Sequence, residues 1–142
     1  MKHFLLTAII ILMGINYSTA QTRDIFLTNL CQRWQLNELE IKASGKKITP
    51  DKKMLQNFLE FDPDGTFRSF EDGVMVNGKW KADEIKMEIV NTDFDNQNIT
   101  SPLIFTIVSL TNTHLAITTN PNAEKVIIMH YVVGGMKTKP SR

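Results

Sequence analysis

Apolar and polar residues alternate with a period of two along most of the chain, the pattern of strands buried on one face. The clearest case is 74–82, where Val74, Val76, Gly78, Trp80 and Ala82 share one parity and Met75, Asn77, Lys79 and Lys81 the other. The same reading predicts strands at 33–41, 55–61, 66–70, 85–89, 103–110, 114–119 and 125–133. In the first of these, Trp34 and Leu36 fall on one parity and Leu39 and Ile41 on the other, so a bulge is expected near Asn37 and Glu38. Strand 85–89 places Ile85, Met87 and Ile89 against Lys86 and Glu88. Strand 103–110 is apolar on both parities, with Leu103, Phe105 and Ile107 against Ile104, Val108 and Leu110. That fits a covered outward face and leaves the register open. Helical periodicity is confined to Asp24–Cys31, where Phe26, Leu27 and Leu30 share a face and Asp24 stands at the N-cap position.

Turn-forming residues separate these runs. Asp62-Pro63-Asp64-Gly65 and Glu71-Asp72-Gly73 suit tight hairpins, and the first lacks the ligand spacing and closing Glu of a calcium loop. The segment 42–53 carries Lys42, Lys46, Lys47, Lys52 and Lys53 and reads as a long solvated loop with a helical turn after Pro50. As a functional element it would gate a mouth and attract an anionic head group. A second polar connection covers 91–100 and contains Asn98-Ile99-Thr100, which fits a glycosylation acceptor. Eight strands joined mostly by short turns form a meander, and closing it removes the two edges an open sheet would expose. The expected fold is all-β: an eight-stranded antiparallel up-and-down barrel with a short N-terminal helical turn.

Composition narrows the class. The 142 residues carry 16 Lys+Arg against 15 Asp+Glu and a single Cys, which fits one globular domain. A disulfide framework, a Cys-rich zinc site and a general electrostatic attraction to nucleic acid are all excluded. Lys2-His3, the apolar run 4–15 and the small residues Ser18, Thr19 and Ala20 read as a signal peptide over 1–20, cleaved before Gln21. The run is shorter than the roughly 20 apolar residues of a spanning helix. Cys31 does not directly follow it, as a lipid-bearing Cys would. The expectation is an exported protein, periplasmic or extracellular, with no stable membrane anchor after cleavage, a barrel domain over 21–133 and a flexible tail over 134–142. Cys31 is either a small buried apolar residue or a free thiol.

The helical turn leading into a strand with Trp34, the Phe61-Asp62-Pro63-Asp64-Gly65-Thr66-Phe67 hairpin, Gly78-Lys79-Trp80 and Ser109-Leu110-Thr111-Asn112-Thr113-His114-Leu115 together resemble the small exported lipocalin-like proteins of Bacteroidetes-type bacteria. The resemblance covers most of the chain after residue 20. It implies a barrel able to hold a small molecule. Gln32-Arg33-Trp34 departs from the Gly-x-Trp of lipocalins proper, and 125–133 has no Arg to stack on Trp34.

An eight-stranded barrel is just wide enough either to be filled by side chains or to hold one small ligand. The candidate lining residues are Phe61, Phe67, Val76, Trp80, Met87, Phe105, Ile107, Leu115, Ile117 and Tyr131, each of which also suits ordinary core. Trp34 is expected to close the barrel floor. Asn57, Ser109 and His130 interrupt apolar surroundings and point to a wet or ligand-facing interior. No nucleophile elbow or zinc-protease helix occurs, so no catalytic residue is assigned and the chain is not expected to be an enzyme. His114 and His130 fall on adjacent strands, where a carboxylate would complete a metal site, but topology alone accounts for their closeness; no metal or cofactor is assigned. The expected partner is a small hydrophobic or amphipathic molecule inside the barrel, with no nucleic acid. The alternative is a solid-core module that binds a protein or glycan.

Overall fold

A computed structural model describes residues 21–94, 97–99 and 101–134. Residues 1–20, expected above to be a leader, 95–96, Thr100 and the expected tail after Gly134 lie outside the described residues. Residues 21–30 form a helix, α1, and the strands are β1 Arg33–Ile41, β2 Lys46–Ile48, β3 Phe58–Phe61, β4 Thr66–Glu71, β5 Val74–Ala82, β6 Lys86–Phe94, β7 Gln97–Ile99, β8 Leu103–Leu110, β9 His114–Thr118 and β10 Ile127–Val133. Neighbours follow the order β10-β9-β8-β6-β5-β4-β3-β1, and β1 pairs antiparallel with β10 from Trp34↔Val133 to Ile41↔Ile127. Eight strands therefore close into an antiparallel barrel. Closure leaves neither β1 nor β10 as a long free edge.

Two predicted loops contain strands. β1 pairs with β3 only over Arg33–Gln35, and β2 then covers Leu39–Ile41. Likewise β6 pairs with β8 over Lys86–Ile89, and β7 folds back on Thr92–Phe94. In both places one barrel strand outlasts its neighbour, and a three-residue strand satisfies the backbone groups left over. Composition marked 42–53 and 91–100 as polar and could not show this demand. The strand expected over 55–61 begins at Phe58, because Met54–Gln56 forms a 3-10 turn, ahead of which Asp51 Oδ1 accepts the Met54 N–H at 2.8 Å.

The bulge in β1 is present as a register shift between Leu36 and Glu38. It returns Leu39 to the side of Trp34 and Leu36, where all three meet the core. Helix α1 starts earlier than expected, so Asp24 lies inside it and is not its cap. Its C-terminal end is held by side chains from the next turn. Gln32 Nε2 donates to the Asn29 carbonyl at 2.7 Å, and the Trp34 indole N–H donates to the Leu30 carbonyl at 3.0 Å. Leu30 and Trp34 are fully buried, so helix and indole together seal one end of the barrel.

The Asp62–Gly65 segment is a hairpin turn. Gly65 has φ +86°, its N–H donates to the Asp62 carbonyl at 3.0 Å, and Asp64 Oδ1 accepts the Thr66 N–H at 2.8 Å. Asp64 is thereby committed within the turn. Asp72 and Gly73, with φ of 50° and 91°, make the tight two-residue link between β4 and β5.

Candidate functional site

The barrel interior is one cluster of contacting apolar side chains. Phe61, Phe67, Met87, Ile107, Leu115, Ile117 and Tyr131 are members of it, with Trp34, Leu36, Leu59 and Ile89, and each of these is at most 9% exposed. Trp80 and Phe105 pack against its edge, half-buried. Val76 is buried outside this cluster. Phe61 anchors one side, tilted on Phe67 at 5.3 Å between centroids and edge-on to Trp80 at 5.7 Å. The Trp80 indole N–H donates to the Asp62 carbonyl at 2.9 Å, which ties the ring to the hairpin. Side chains fill the space where a ligand was expected.

The three polar interruptions lie elsewhere. Asn57 sits in the connection between the 3-10 turn and β3, where Oδ1 accepts the Asp72 N–H at 3.2 Å and its carbonyl accepts the Leu36 N–H at 3.0 Å. On β9, Leu115 and Ile117 point inward, so His114 and Ala116 point outward, and the register places Ser109 and His130 beside Ala116 on that outer wall. These residues therefore give no sign of a wet interior. A parity reading fails here because β8 is bulged between Ile107 and Ser109. The outward face of β8 is also uncovered: Ile104 and Val108 are 44% and 49% exposed.

Concave surface appears at the sealed end. A cleft of about 450 Å³ lies between α1, through Arg23, Phe26 and Leu27, and the β5–β6 turn, through Ala82, Asp83, Glu84 and Ile85. A second, of about 310 Å³, shares Phe26 and Glu84 with it and extends to Ile25, Val108 and Leu110. Phe26 and Ala82 rest on the barrel core, which gives the cleft an apolar floor. The turn is rigid: Asp83 Oδ1 accepts the N–H groups of Ile85 and Lys86 at 2.8 and 2.7 Å, and these bonds hold its carboxyl below the usual range. Ile85, expected inside a strand, sits in this turn and is 70% exposed. Sequence reasoning found the apolar face of α1 but assigned Ile85 by parity to the core, so it did not see the two as one wall.

Other titratable groups are less suited to chemistry. Burial, then the neighbouring Asp62 charge, pushes the Cys31 thiol up, away from the reactive thiolate. Burial, then Asp72, raises the Glu71 carboxyl at the opposite end of β4. The Tyr131 hydroxyl is raised by burial and secondarily by Glu71, so it stays protonated. Among the described residues no group of three or more His, Cys, Asp or Glu is arranged to hold a metal ion, and no helix is long and apolar enough to cross a membrane.

No family model and no curated relative matches the chain. Solved structures do. A lipocalin-like protein from Bacteroides uniformis superposes with a TM-score of 0.50 at 16% identity, over 75% of this chain and 99% of that one. An uncharacterized protein from Bacteroides eggerthii gives a TM-score of 0.50 at 16% identity, over 74% and 99%. At such identity the likeness concerns the fold alone: this chain folds as a lipocalin-like barrel.

Proposed function

We propose that this is an exported lipocalin-like protein that binds a small hydrophobic or amphipathic molecule, without chemistry, in the cleft between α1 and the β5–β6 turn. The carrying observation is the cleft of about 450 Å³ floored by Phe26, Leu27 and Ala82 and rimmed by Arg23, Asp83 and Glu84. Its volume lies within the roughly 300–1,000 Å³ usual for ligand sites, and an apolar floor with a charged rim suits an amphipathic molecule. The mutual packing of the interior side chains supports a site at the barrel end rather than inside it. The leader read over 1–20 supports export, since its removal would leave α1 as the first element of the chain.

An apolar fluorescent probe titrated into the purified protein tests this reading. Ile85→Glu places a charge at an exposed cleft position and is expected to weaken binding about tenfold or more, equivalent to roughly 1.4 kcal/mol. Met75→Glu, on the outer face of β5 and 47% exposed, is expected to leave binding unchanged. Absence of saturable binding, or equal binding by the Ile85 variant, contradicts the proposal. The second reading, a solid barrel that docks a protein or glycan, is favoured by the filled core and the exposed Leu103, Ile104 and Val108. It predicts the probe-negative outcome.

A further inference from the structure

A chain of side chains crosses the outer wall of the barrel from β8 to β1. His114 Nε2 faces His130 Nδ1 at 3.1 Å. Each remaining ring nitrogen has an oxygen partner: His130 Nε2 meets Glu40 Oε2 at 2.9 Å, and His114 Nδ1 meets Ser109 Oγ at 3.5 Å. Glu40 accepts only, so the neutral His130 tautomer that satisfies this contact has its proton on Nε2 and an Nδ1 lone pair facing His114. Moving the His114 proton from Nε2 to Nδ1, where Ser109 can accept it, frees a second lone pair beside the first. No net proton need leave.

We propose that His114 and His130 form a binding site for a divalent transition-metal ion of the copper and zinc class, with Glu40 and Ser109 as the outer partners that orient the two rings. Imidazole nitrogens bind such ions at about 2.0–2.1 Å, so nitrogens 3.1 Å apart subtend an angle of about 100° at a shared ion, between square-planar and tetrahedral. Reaching that point requires both rings to turn off the direct N–N line, so that their lone pairs converge beside it. The rings lie 5.2 Å apart between centroids and 32° from coplanar, on adjacent paired strands that hold them in place. Ligating histidines characteristically give their other N–H to a carboxylate or similar acceptor, and here both have one. Glu38, directly across from His130 in register, is tied to Lys47 at 2.8 Å. With two protein ligands, the remaining coordination positions fall to water or an added molecule, which selects for ions that accept imidazole readily and against calcium and magnesium.

Calorimetric titration of Zn²⁺ and Cu²⁺ into the untagged protein tests the site, with Mg²⁺ as the comparison. One equivalent of Zn²⁺ or Cu²⁺ is expected to bind and Mg²⁺ is not. His114→Asn and His130→Asn should each weaken binding by more than about 100-fold, and Glu40→Gln by about 10–100-fold, the usual cost of losing an outer-shell partner. Nitrogen-15 spectra of the imidazoles should show the ion on His114 Nε2 and His130 Nδ1. Both histidines lie on the outer wall, so folding of the variants can be confirmed by far-ultraviolet circular dichroism. Absence of binding by the parent protein, binding kept by the double histidine variant, or binding lost only with Cys31→Ser overturns the proposal.

Discussion

Trp34→Ala is expected to destabilise the protein by about 3–5 kcal/mol, the range for deleting a buried Trp or Phe side chain. The ring is fully buried at the sealed end, against Leu30 of α1 and within the central cluster. Its loss leaves a void that a closed barrel is poorly able to collapse, because seven other strands hold the wall at fixed spacing. The indole N–H also goes, leaving the Leu30 carbonyl at the end of α1 without that donor. Single domains are stable by only about 5–15 kcal/mol, so chemical denaturation should show a large fall in midpoint. Trp34→Phe keeps most of the bulk and should cost less, about 0.5–1.5 kcal/mol for one lost hydrogen bond, because the Leu30 carbonyl still accepts the Gln32 N–H at 2.8 Å. A loss below about 1 kcal/mol for Trp34→Ala would show that α1 and Trp34 do not seal the barrel.

Tyr131 separates core from ligand contact by a pair of variants. It sits on β10, opposite Leu36 of β1 and Leu115 of β9, at the strand that closes the barrel, and is 4% exposed. Among the described residues its hydroxyl donates to the Met129 sulfur at 3.7 Å, a weak acceptor. Tyr131→Phe is therefore expected to change stability by less than about 1 kcal/mol, whereas Tyr131→Ala should cost about 3–5 kcal/mol through lost packing. Probe binding should be the same for the Phe variant and the parent. Thermal and denaturant unfolding measure both, and a large loss for Tyr131→Phe would mean that the hydroxyl, not the ring, holds the seam.

How much of this was legible depends on the strand. In β5 the alternation of Val76, Gly78, Trp80 and Ala82 with lysines and Asn77 predicted the observed span and its buried face, because one side meets the core and the other meets water. The β1 bulge was visible for the same reason: apolar residues change parity between Leu36 and Leu39, and only an extra residue restores their common direction. β2 and β7 were not visible, since what makes Lys46–Ile48 and Gln97–Ile99 extended is the unsatisfied edge of a distant partner. Ser109 and His130 were misplaced because β8 and β10 are apolar on both parities, and in such strands pattern does not say which face is inside. The cleft was invisible for a third reason. It joins α1 to a turn some sixty residues later, and only the closed barrel brings the two together.

The account rests on a barrel whose interior is occupied by its own side chains and whose ligand site lies at its end. Methyl-resolved NMR during titration with an apolar probe tests it directly. The methyls of Leu27 and Ile85 should shift progressively, while those of Ile107, Leu115 and Ile117 remain where they were. Shifts that begin at Leu115 and Ile117 and spare Ile85 would place the ligand inside the barrel and contradict the account.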